Sequence, residues 1–246
     1  GTHVAGIIAA NRKNNIGMKG VAKDVLIMPI RAVPDGDEYD KDIALGIRYA
    51  VDNGARIINT SFGKYFSTHP DWVIDAIKYA EKNDVLIVNA AGNEGINLDE
   101  KRVYPNDETP ENPKDVVSNF INVGAITSEY GGNLVAGFSN YGQQSVDLFA
   151  PGSSIYATTP LNTYEYLQGT SMAAPNVAGV AAMIRSLYPK LSASKVKQIL
   201  MESGLKTEQE VILGGNPNTT EKFSTLSVSG AMVNMYNAII LASKTK

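Results

Sequence analysis

The sequence predicts an α/β fold, a doubly wound, mostly parallel sheet flanked by helices. Two observations carry that expectation. Short runs of β-branched and aliphatic residues recur at 25–33, 56–61, 85–91, 120–126 and 146–150, most of them apolar on both faces. Such runs suit strands buried in a parallel sheet. Helix-period segments lie between some of them, at 40–52 and 71–83, and each ends at or beside an Asn or a Gly that serves as a stop. Strand and helix in alternation argue for the doubly wound arrangement.

The elements follow in order. A small-residue helix opens the chain at Gly1–Ala10, and the apolar run 25–33 reads as the first strand. After the helix and strand pairs comes a polar stretch at 94–119, rich in Asn, Asp, Glu and Pro. A loop of that length inside a compact domain is usually functional. From Ser171 the pattern turns helical through Tyr188, again over 193–203 and finally over 230–243, with a turn-rich, β-like stretch around 214–229.

Composition narrows the function. A chain of 246 residues with 43% hydrophobic content suffices for one domain spanning residues 1–246. Its net charge of -3 provides no basic face for nucleic acid, and no apolar run approaches the roughly 18 residues of a membrane span. With no cysteine there is no disulfide framework and no thiol nucleophile. Serine and threonine remain the main candidate nucleophiles. The sequence starts inside a helix-like segment without an initiator methionine, so the true N-terminus is expected upstream.

Three segments carry chemistry. The first is Gly169-Thr170-Ser171-Met172-Ala173-Ala174-Pro175, leading into Val177-Ala178-Gly179-Val180-Ala181-Ala182 at helical period. It sets Ser171 at a helix start, where unpaired N–H groups and the positive dipole end favour negative charge, including the oxyanion formed when a hydroxyl attacks a carbonyl. Pro175 reads as a first-turn proline with no N–H partner to lose. Taken alone, Gly-Thr-Ser also fits an N-capping serine on a buried Ala-rich helix. The second is Val88-Asn89-Ala90-Ala91-Gly92-Asn93-Glu94-Gly95, a buried strand ending in Gly-Asn. Loops at the carboxyl ends of parallel strands are where open α/β sheets bind ligands, and an amide there donates to an oxyanion without titrating. By itself Gly-Asn reads first as a turn. The third is Gly1-Thr2-His3-Val4-Ala5-Gly6.

In this order and at these separations the three segments resemble the subtilase, or subtilisin-like serine peptidase, family, and the similarity runs from Gly1 to the final helix near Ala242. The resemblance implies a subtilisin-like fold whose N-terminal strands lie upstream. It implies Ser171 as nucleophile and Asn93, with the Ser171 backbone N–H, as oxyanion donors. In the family's H-G-T-H-V-A-G motif the base is the first histidine, which precedes Gly1; the catalytic Asp belongs to a strand further upstream. His3 is the second histidine, with a packing or hydrogen-bonding role, and His69 is expected to be a solvated loop residue.

The resemblance extends to the substrate. Ser61, Phe62 and Gly63 match the segment that pairs with substrate backbone, and Ala90, Ala91 and Gly92 the wall of the S1 pocket, which seats the residue before the scissile bond. Lys64 replaces a frequent glycine, and is expected to narrow or charge the cleft rim; Tyr39 is expected to face the P4 side chain. Val103 stands at the pocket floor where some members have glycine, against a large aromatic P1 residue. Tyr104-Pro105 is expected to be a cis peptide. Asn14, Ile16 and Met18 match a structural calcium loop, their oxygens suiting Ca²⁺. The implied whole is a monomeric, secreted or cell-envelope endopeptidase acting on polypeptide substrates without a catalytic cofactor. The alternatives are an inactive pseudopeptidase or protein-binding module, and an α/β-hydrolase esterase, which G-T-S-M-A fits poorly because it lacks the G-x-S-x-G elbow.

Overall fold

The structure, a computed structural model, describes residues 1–109 and 116–245. Its centre is a six-stranded sheet. In chain order the strands are β1 (Ile57–Thr60), β2 (Leu86–Ala90), β3 (Phe120–Ile126), β4 (Leu148–Pro151), β7 (Leu205–Lys206) and β10 (Ala231–Met232), arranged β1-β2-β3-β4-β10-β7. All neighbouring pairs are parallel except β10 with β7. The expected doubly wound sheet is therefore present.

Period-2 alternation sorts the central strands between two cores. Leu86, Val88 and Ala90 of β2 and Ile121, Val123 and Ala125 of β3 face a cluster built on α4 (Thr170–Leu187), α5 (Ala193–Glu202) and α6 (Met235–Lys244). Ile87 and Phe120 point the other way, onto α2 (Asp40–Asp52) and α3 (Pro70–Lys82). Helix α4 crosses β1 to β4, and α1 (Thr2–Ala9) packs beside it. There Gly179 of α4 lets Val21 approach, since a Cβ at that glycine would lie 2.6 Å from Val21 Cβ. Two hairpins complete the chain: β5 (Ile155–Thr159) with β6 (Thr163–Leu167), and β8 (Glu210–Leu213) with β9 (Asn216–Lys222).

One expected strand is missing from the sheet. Residues 25–33 form no ladder, and Leu26 is fully exposed, with Ile27, Met28 and Ile30 also open to solvent. The physical reason is pairing. An apolar run becomes a strand only where neighbours take its N–H and C=O groups, and this run instead passes over α2, with Ile30 and Ala32 against Gly46. Strand β1 accordingly pairs on one side alone, and its Ile57 and Ile58 are only half-buried. Of the polar stretch 94–119, residues 110–115 lie outside the described residues.

Candidate active site

Helix α4 starts where chain geometry leaves little choice. Gly169, its N-cap, has φ 144°, a conformation open to glycine, and its N–H donates to Gly152 O at 2.8 Å. Thr170 and Ser171 follow as the first helical residues, with their N–H groups at the positive end of the helix.

Pro175 corrects the sequence reading. It is the sixth residue of α4, beyond the first turn, so its missing N–H would leave the Ser171 carbonyl without its i→i+4 donor. Ser61 supplies that donor instead: its hydroxyl gives a 2.8 Å hydrogen bond to Ser171 O. In return the Ser171 hydroxyl donates to Ser61 O at 3.1 Å. The pair clamps the end of β1 to the start of α4.

Asn93 is oriented by Thr170. Its Oδ1 accepts the Thr170 N–H at 2.8 Å and faces the Thr170 hydroxyl at 3.1 Å, while the same hydroxyl oxygen accepts from Gly92 N–H at 3.0 Å. With the carbonyl side committed to two donors, the amide Nδ2 is turned away from Thr170. A Cβ placed on Gly169 would lie 3.6 Å from the Ser171 backbone N, 3.6 Å from Asn93 Oδ1 and 3.7 Å from Asn93 Nδ2. The Ser171 N–H and the Asn93 amide, from separate elements, thus border one small volume at the start of α4.

A buried asparagine holds the loop that carries Asn93. Asn140 donates to Ala91 O at 2.8 Å and to the Tyr65 hydroxyl at 3.2 Å, and accepts from Glu94 N–H at 3.0 Å and Ile96 N–H at 3.1 Å. Neither Thr170's orienting role nor Asn140 is assigned by the sequence reading. Thr170 stands inside the recognised motif; Asn140, in Ser139-Asn140-Tyr141, belongs to no motif that marks it.

The two histidines are engaged elsewhere. His3 is buried on α1 with Nε2 3.1 Å from Glu165 O, and His69 precedes α3, its ring stacked on Trp72 at 4.0 Å. Lys64 differs from expectation. Its ammonium turns off the cleft rim, 2.7 Å from Asp40 Oδ1 and 2.7 Å from Glu38 O, because Asp40 is a buried carboxylate in need of a cation. Burial alone pushes the Asp40 carboxyl up, but the Lys64 hydrogen bond, the His69 N–H, the Ser67 hydroxyl and the Lys64 charge outweigh it and hold its pKa at about 2. Tyr39 is exposed, and Tyr104-Pro105 is cis, as expected.

The segment holding Asn14, Ile16 and Met18 does not by itself fit a calcium ion. Asn14 Oδ1 accepts the Ile16 N–H at 3.2 Å and Asn11 Oδ1 the Lys13 N–H at 2.8 Å, so both side-chain oxygens serve their own turns. Between Asn11 and Lys19 there is no carboxylate, while Arg12, Lys13 and Lys19 bring positive charge. Among the described residues no cluster of three or more His, Cys, Asp or Glu side chains assembles.

The Subtilase family model matches residues 1–226. The chain belongs to the subtilase family. This subtilase is 41% identical over 187 residues to a thermophilic serine proteinase of Bacillus sp. (strain AK1), covering 76% of the chain and 42% of that protein. It is 38% identical over 202 residues to subtilisin DY of Bacillus licheniformis, covering 81% and 68%. The relatives also include a cell wall-associated protease and a major intracellular serine protease, both of Bacillus subtilis. Of solved structures, the patellamide maturation protease PatA superposes with a TM-score of 0.76 at 30% identity, over 100% of this chain and 84% of that one. A protease from Pseudoalteromonas arctica gives 0.79 at 28%, over 98% and 70%. Coverage of the curated relatives' own lengths therefore ranges from under half to about two thirds for the first two.

Proposed function

We propose that this subtilase chain is the nucleophile-bearing part of a serine endopeptidase that cleaves polypeptides through an acyl-enzyme on Ser171. One observation carries the reading: Ser171 stands in the first turn of α4 with its own N–H and the Asn93 amide flanking the same space. Attack by the Ser171 hydroxyl on a peptide carbonyl puts charge on the carbonyl oxygen, and preorganised donors at that point stabilise the charge as it forms. Collapse of the tetrahedral adduct releases the amine and leaves the ester on Ser171, which water then hydrolyses.

The reaction needs an acceptor for the Ser171 proton, and neither histidine of the chain fills that role. His3 bonds to Glu165 O and His69 stacks on Trp72. In the family's motif the base is the histidine preceding the glycine that Gly1 matches, and the aspartate belongs to an earlier strand. The cell wall-associated relative supports a secreted or cell-envelope location, which fractionation of the native host tests. We take the enzyme to be monomeric.

The test is kinetic. In the full-length protein Asn93→Leu lowers kcat by about 10²–10³ with KM nearly unchanged, a range established on the subtilisins themselves and carried over here. Ser171→Ala abolishes hydrolysis. Undiminished kcat in Asn93→Leu would remove the oxyanion assignment.

A further inference from the structure

The two segments on either side of the substrate path leave the ends of adjacent strands. Residues 61–63 continue β1, residues 91–92 continue β2, and these strands pair in parallel with Thr60 opposite Asn89. Two features restrict the slot between them. The first is Val103, whose Cγ1 lies 3.1 Å from where a Cβ on Gly63 would stand, and which shares a buried cluster with Ala91 of the other wall. Backbone hydrogen bonds between Lys64 and Tyr104, at 2.9 and 2.8 Å, hold that floor against the first wall.

The second feature is Tyr65. It starts from the first wall and crosses to the second, its hydroxyl 3.0 Å from the position of a Cβ on Gly92. There it accepts the 3.2 Å hydrogen bond from Asn140 Nδ2. Asn140 is fully buried and gives its other Nδ2 hydrogen bond to Ala91 O, so the post that holds Tyr65 is part of the second wall itself. The Lys101 ammonium stands 5.6 Å from the Tyr65 ring centroid. At 37% exposure the ring stands on the surface of the site and is not core packing.

We propose that Tyr65 is a specificity-determining residue: bridged to Asn140, it closes the far end of this slot and restricts the side chain preceding the scissile bond to short, uncharged ones. The proposal rests on the peptidase reading above, and deepens it by naming a substrate class. The slot's floor is aliphatic. Lys64, the charge nearest in sequence, is spent on Asp40 and Glu38 O, and Glu94 and Lys101 beside Tyr65 offset one another.

The experiment uses the full-length protein and tetrapeptide p-nitroanilides that differ only in their last residue, Ala or Phe. The unaltered enzyme favours Ala in kcat/KM. Tyr65→Gly raises the Phe-to-Ala ratio about tenfold or more, within the discrimination a shaped apolar pocket supplies. Tyr65→Phe, which keeps the ring, moves the ratio less. A Tyr65 that only supports the fold would change melting temperature and both substrates together, without moving the ratio. An unmoved ratio in Tyr65→Gly, or an unaltered enzyme that favours Phe, overturns the proposal. A second arm needs no turnover and so reads the slot whatever becomes of the peptidase reading. Calorimetry on Ser171→Ala compares tetrapeptides ending in Ala and in Phe: tighter binding of the Ala peptide supports the proposal, and equal or tighter binding of the Phe peptide overturns it.

Discussion

Pro175 and Ser61 divide one hydrogen bond between distant parts of the chain: the proline withholds a donor from the Ser171 carbonyl, and the serine hydroxyl replaces it at 2.8 Å. Ser61→Ala leaves that carbonyl unpaired in a half-buried place. The expected cost is about 1–3 kcal/mol, read as a lower midpoint in urea unfolding, with Ser61→Thr recovering much of it. Asp40 makes a second residue-scale prediction. Its folded pKa of about 2 lies below the ordinary 3.8, so its stabilisation is fully present above about pH 4 and is lost as pH falls toward 2. At 1.36 kcal/mol per unit this is on the order of 2 kcal/mol. Between pH 4 and pH 2, Asp40→Asn should lose less stability than the unaltered chain does; an equal loss would show that the carboxylate's partners contribute nothing.

At the scale of elements, the loop over residues 91–96 hangs on Asn140, which pairs with Ala91 O, Glu94 N–H and Ile96 N–H at once. Asn140→Ala strips partners from several groups together and is expected to cost about 3 kcal/mol or more. Asn93 rides on the same loop, so kcat should fall with it; a stable variant with unchanged kcat would separate Asn140 from the site. Elements were legible where burial imposed a period. Helix α2 spans residues 40–52 and β3 residues 120–126, as their patterns require, because each has a face or faces packed in the core. The hairpin β5 with β6 was not legible. Its Tyr156 stacks on Tyr164 and meets Tyr166 at a tilt, and exposed strands carry little apolar alternation. Ser171 and Asn93 were legible from motifs, whereas the cross-chain roles of Tyr65, Lys64 and Asn140 depend on which strands lie side by side.

For the whole molecule, the sheet and its two helical layers bring the ends of β1 and β2 and the start of α4 to one place, and that convergence forms the candidate site. The same topology leaves β1 with a bare edge and residues 25–33 with apolar side chains in solvent. Bare apolar edges invite association between chains. The 246 residues alone are therefore expected to unfold with low cooperativity and to aggregate, and a longer chain that places the family's aspartate and histidine segments ahead of Gly1 to unfold cooperatively. The most direct measurement compares these two chains on one chromogenic peptide, with Ser171→Ala of the longer one as blank. The expected result is turnover by the longer chain only, abolished by the substitution, since without a positioned base the serine hydroxyl loses about 10⁶-fold in kcat, a magnitude again known from the subtilisins. Turnover by the 246-residue chain at a comparable rate would contradict it, and would return His3 or His69 to consideration as the base.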